Sequence, residues 1–133
     1  MPASATILAY TDTPFLFDFT RNPVFVTDCP GEASLPPGMP VRQGSEAVAS
    51  YLLSHNIRYV VYSYKTQAGS PRATFGFLLD PFYGTLVNRI AALSFAFQDD
   101  LADLSHTRTR LYDDGSIYVL DLASRLPPAP TRP

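Results

Sequence analysis

Gly44 to Lys65 reads GSEAVASYLLSHNIRYVVYSYK and contains a helix, its stop and a buried strand in immediate succession. Ser45 is a suitable N-cap and Glu46 falls in the first turn, where a carboxylate suits the helix dipole. Val48, Tyr51, Leu52 and His55 recur at helical spacing on one face. Asn56 tolerates the left-handed conformation that ends a helix. The run that follows, Ile57 to Tyr64, is too continuously β-branched and aromatic for a strand with one wet face. It predicts a strand covered on both sides, and with it a small Rossmann-like α/β domain: a mostly parallel sheet with helices packed on it.

Outward from this unit, Thr6 to Thr11 (TILAYT) and Val24 to Thr27 (VFVT) read as two further strands. Pro14 to Phe19 between them reads as a short crossover helix, stopped by Asn22-Pro23. Cys29 to Gly44 holds four prolines and three glycines in sixteen residues, so neither helix nor strand extends through it. A loop of that length suits docking, with Leu35, Met39 and Val41 presenting apolar surface between rigid prolines.

Beyond the central unit, Asp80-Pro81 opens a long helix. Its predicted core stripe is Leu86, Ile90, Leu93, Phe97, Leu101 and Leu104. Asp99, Asp100 and Asp103 predict a break or bend near Gln98, because carboxylates oppose the dipole of a helix C-terminus. Arg108 to Tyr112 and Ile117 to Leu122 flank Asp114-Gly115, a hairpin signal that closes the sheet with an antiparallel pair. Leu111, Tyr112, Ile117 and Val119 are its expected apolar contacts. Residues 1–126 form one domain in this reading, and 127–133 a proline-rich mobile tail.

The composition bounds the function. The chain has 133 residues, 46% of them hydrophobic and 17% charged, with 9 Phe and 8 Tyr, which suits one domain with its own core. A net charge of -2 and a single lysine leave no basic stripe for phosphates, so no nucleic-acid partner is expected. The lone Cys29 excludes an internal disulfide and a thiolate zinc cage. No run of ~20 apolar residues is present to span a bilayer. Met1 to Ser4 reads as a neutral lead-in, as in a domain separately encoded or excised from a longer chain.

The residues with chemical potential are few. Open parallel sheets bind ligands at the carboxyl ends of their strands, where Asp12, Asp28 and Lys65 fall; ordinary turn and cap chemistry is the competing explanation. No glycine-rich phosphate loop follows any strand. His55 and His106 lack the spacing of a metal pair, Cys29 lacks the surroundings of a nucleophile, and the acidic cluster reads as a solvated helix end. No cofactor, metal or catalytic residue is expected.

Three stretches taken together, TPFLFDFTRNPVFVTDCPGEASLPPGMP, GSEAVASYLLSHNIRYVVYSYK and TRLYDDGSIYVLDL, resemble the soluble C-terminal region of bacterial polytopic membrane glycosyltransferases. The type is that of the dolichyl-phosphate-mannose and aminoarabinose transferases. The resemblance implies a noncatalytic accessory domain on the extracytoplasmic face of a bacterial membrane. Its partner would be the membrane-embedded catalytic part, in cis or in trans, and self-association is left open. The alternative is an independent cytoplasmic small-molecule-binding or enzymatic domain using Asp12, Asp28 and Lys65.

Overall fold

A computed structural model describes residues 1–11, 17–26, 34–64 and 76–127. Its strands are β1 (Thr6–Tyr10), β2 (Val24–Val26), β3 (Ile57–Ser63), β4 (Arg108–Asp113) and β5 (Ile117–Arg125); its helices are α1 (Ser45–Ser54) and α2 (Gly84–Thr107). One five-stranded sheet runs β2-β1-β3-β5-β4. The pairs β1/β2 and β1/β3 are parallel, whereas β3/β5 and β4/β5 are antiparallel. The sheet is therefore mixed, not mostly parallel. The expected hairpin supplies both antiparallel pairs, because β5 docks directly on β3 and carries β4 to the edge.

β3 lies at the centre, and its register organises both faces. Leu8, Val60 and Leu120 form one row across β1, β3 and β5, and Tyr10, Tyr62 and Tyr118 the next. Both rows are buried with Val48, Tyr51 and Leu52 of α1 and Phe97, Leu101 and Leu104 of α2. On the opposite face Ile7, Tyr59, Val61 and Val119 make a second buried cluster, against which Ala5, Phe17 and Ile117 pack. Between β1 and β3 the register slips at Thr6/Ile7, leaving Arg58 as an extra residue on β3. The bulge lets Ile57 join the helix-side core while Arg58 reaches Asp121 on β5, with two hydrogen bonds of 2.8 and 2.6 Å.

Helix α1 follows the sequence closely, with its start one residue out. Gly44 is the N-cap, at φ 95°, and Ser45 is the first helical residue without a capping side-chain bond. Asn56 takes φ 60° past the end of the helix, as its type predicts. Glu46 does more than suit the dipole. Its carboxylate accepts from Arg108 (2.7 Å) and Arg125 (2.6 Å), tying the first turn of α1 to the hairpin. Arg108 is buried and also donates Nε to the Leu122 carbonyl, so its charge is held by an ion pair and a hydrogen bond.

Three expectations for the C-terminal half are corrected. α2 runs unbroken through Gln98 to Thr107, so the aspartates sit a turn or more from the terminus, where the dipole is weak. Only Phe97, Leu101 and Leu104 of its stripe are fully buried; Ile90 and Leu93 are half-buried and Leu86 is exposed, because the amino-terminal half overruns the core. In the hairpin, the tight turn is centred on Gly115-Ser116, one residue later than Asp114-Gly115. Asp114 precedes it and accepts the Ser116 and Ile117 amides. Leu111 and Tyr112 are exposed, since β4 is an edge strand with a register slip between Arg110 and Tyr112. The first half of the short crossover helix, residues 14–16, falls outside the described residues; from Phe17 onward the chain is a turn in which Asp18 accepts the Thr20 and Arg21 amides.

Val61, buried on the second face, should cost about 1–3 kcal/mol when replaced by Ala, measured by chemical denaturation. Gly115 sits at φ 85°, and a Cβ added there meets no atom within 4 Å, so the cost of a side chain is conformational. Gly115→Val should lower stability by about 1–2 kcal/mol. Ser116→Val should cost less, and a wild-type melting temperature for Gly115→Val would refute the turn assignment.

Candidate functional site

The cleft that gathers the loop residues lies between α1 and the edge strand β2. β2 contributes Phe25 and Val26, both exposed because this short strand pairs only with β1 among the described residues. α1 contributes Tyr51 and Leu52, its C-cap is His55, and the segment after residue 33 contributes Ser34, Leu35 and Met39. Leu8 and Ile57 form the remaining wall of a hollow of about 110 Å³. That volume suits one apolar side chain.

The loop wall is fixed by a specific contact. The Tyr51 phenol donates to the Leu35 carbonyl at 2.6 Å, and burial pushes that phenol's pKa upward. The His55 ring lies edge-on to Tyr51 at 4.6 Å between centroids. Leu35 is exposed as expected. Met39 and Val41 are not, because both pack partly on the helix-side core. The Pro-rich segment is thus half lining and half surface: Val41 and Met39 hold it down while Leu35 stands out.

Asp12, Asp28, Lys65 and Cys29 lie outside the described residues. What is described of the strand ends brings β1 and β3 together, with the Ser63 hydroxyl donating to Thr11 Oγ1 at 3.0 Å. His106 is exposed in the last turn of α2, while His55 is the C-cap of α1. Among the described residues no three His, Cys, Asp or Glu side chains are grouped to hold a metal. No helix among them is long and apolar enough to cross a membrane.

Sequence reasoning missed the polar layer beneath α2. Tyr10, Tyr62 and Tyr118 stand side by side, with Tyr10 stacked on Tyr62 at 6.1 Å and Tyr62 tilted on Tyr118 at 4.9 Å. The Tyr10 phenol bonds Ser94 Oγ at 2.7 Å, and Tyr118 donates to the Leu101 carbonyl. Arg110 lies over the Tyr118 ring, bonds Asp113 at 2.7 Å and donates to the Tyr64 phenol, which itself donates to Asp113. The alternation Tyr62-x-Tyr64 was visible in the chain, but its partners come from strands 46 or more residues away in sequence. The same layer hides Gln98, fully buried with neither amide atom bonded.

Asp100 is the other polar group at this helix that burial works against. Burial raises its pKa first, and Asp103 and Asp99 add to the shift, while the Arg42 backbone N–H opposes it. A carboxyl whose folded pKa is raised favours folding when protonated and loses that contribution as pH climbs through the folded value. Comparison with protein-family models, with curated proteins and with solved structures finds no match to this chain. Asp100→Asn is expected to be more stable than the wild type at neutral pH, with the gap closing as pH falls below the ordinary carboxylate range, where both side chains are neutral. Denaturation curves of the two proteins across that range check the sign.

Proposed function

We propose that this chain is a noncatalytic accessory domain that docks on the membrane-embedded part of a glycosyltransferase-like protein. The cleft between α1 and β2 is the docking site in this reading. The observation that carries the docking role is the apolar hollow open beside Phe25, Val26 and Leu35, with its far wall pinned by the Tyr51 bond to Leu35. A preformed apolar cleft beside a sheet edge costs little ordering when an extended partner segment enters it. The family comes from the motif resemblance alone, as does the extracytoplasmic location.

One observation favours a second reading. The order β2-β1-β3 sends the chain from β1 to one side and then back across it to the other, so the carboxyl ends of β1 and β3 meet where the winding reverses. Phe17 packs on one face of the sheet and α1 on the opposite one. In this second reading β1, β2 and β3 serve as a Rossmann-like half. Small molecules bind at such a reversal, and Asp12 and Lys65 come two residues after the ends of β1 and β3 in sequence.

The first reading requires a multi-spanning membrane protein encoded beside this chain or in one frame with it, and co-purification with such a protein tests it. Leu35→Ser with Met39→Ser should weaken the association by about tenfold or more, since anchors of this kind carry over 1 kcal/mol each. The isolated domain should turn over neither lipid-linked nor nucleotide-linked sugars. Turnover abolished by Asp12→Ala or Asp28→Ala would overturn docking in favour of the strand-end site.

A further inference from the structure

The sequence GFLLDPFYGTL from Gly76 to Leu86 forms two 3₁₀ turns, Gly76–Leu79 and Pro81–Tyr83, leading into α2. It exposes Phe77 (55%), Leu79 (47%), Phe82 (88%), Tyr83 (42%) and Leu86 (70%). These side chains come from one continuous segment, with the Tyr83 ring 5.4 Å from both Phe77 and Phe82. The segment is held rigid. Asp80 caps the Phe82 amide at 2.8 Å, and Asn88 in α2 donates to the carbonyls of Leu78 (2.7 Å) and Asp80 (2.9 Å).

Leu86 and Ile90 begin the helical stripe whose later members, Phe97, Leu101 and Leu104, are fully buried. The apolar spacing therefore continues beyond the end of the domain's own core. Taking about 200 Å² for a fully exposed large side chain, the five expose roughly 600 Å² together, at the upper end of patches on monomers. That is less than the roughly 800 Å² each partner contributes to a standard protein interface. Taken alone, the patch falls short of a standard dimer interface. Phe82 and Leu86 protrude, and between Gly76 and Ile90 the only charges are Asp80 and Arg89. A protruding, rigid wedge of Phe, Leu and Tyr with almost no charge matches the boundary between lipid headgroups and acyl chains.

We infer that the wedge formed by Phe77, Leu79, Phe82, Tyr83 and Leu86 inserts into the surface of a lipid bilayer through apolar contact, without requiring anionic lipid. It uses no residue of the cleft between α1 and β2 and stands whether or not that cleft docks a protein. The chain has no tryptophan, so Phe82→Trp places a single reporter at the most exposed position. With vesicles of zwitterionic phosphatidylcholine, the full chain carrying Phe82→Trp should shift its emission to the blue and co-sediment, and added salt should leave both unchanged. Phe82→Ser with Leu86→Ser should reduce co-sedimentation by at least about tenfold, since two large apolar contacts are lost. Its circular dichroism should stay unchanged, because both side chains already face solvent.

Three outcomes would overturn the inference. One is absence of vesicle binding by folded protein. Another is binding confined to anionic vesicles and lost in salt, which would make the attraction electrostatic. The third is a blue shift that appears without lipid and grows with protein concentration, which would assign the wedge to a second copy.

Discussion

A strand buried on both faces cannot stand alone, and β3 is such a strand from Tyr59 to Ser63. Every backbone group on it must be paired and every side chain covered. β1 and β5 meet the first demand from either side, one parallel and one antiparallel. The helices meet the second on the face of Val60 and Tyr62, while Ala5, Phe17 and Ile117 join the cluster on the face of Val61. The rest of the architecture follows from this need. β2 extends the sheet past β1, β4 extends it past β5, and α1 crosses back from β2 to deliver the chain to β3.

The helix-side face is not wholly apolar, and its polar groups explain where α2 sits. Three tyrosines in one row present phenols that need partners on the helix above them. Ser94 and the Leu101 carbonyl supply two. Gln98 and Asp100 share the same stretch of helix and incur the opposite cost, since burial leaves both Gln98 amide atoms and Asp100 Oδ2 unbonded. The charge on Arg108 is treated differently: Glu46, the Leu122 carbonyl and Thr107 surround it, so helix, edge strand and hairpin are locked at one point.

What remains outside is apolar surface of two kinds. The cleft at β2 is concave, walled by a tyrosine bond and floored by core residues, and suits one inserted side chain. The wedge at Phe77 to Leu86 is convex and nearly uncharged, on turns fixed by Asp80 and Asn88. Concave and convex apolar surfaces call for different partners, because the first rewards shape complementarity and the second rewards transfer into an apolar medium.

Local rules determined the parts of this protein that depend on neighbours in the chain. Helix α1, the left-handed Asn56, the buried β3 and a tight turn near Gly115 could all be read from residue type and spacing, since backbone conformation and periodic burial are set within a few residues. The direction of β5 could not, because a strand pattern fixes pairing propensity and not which neighbour is met; the hairpin's docking on β3 made the sheet mixed. The stripe on α2 was legible, but the point where the core ends was not, so Leu86 read as core and stands in solvent. Asp12, Asp28 and Lys65 were read from the rule for strand ends, whereas the cleft and the tyrosine row arise only when segments far apart in sequence are brought together. Tertiary structure decided these, because burial and contact belong to the packed sheet and helices as a whole and to no single segment.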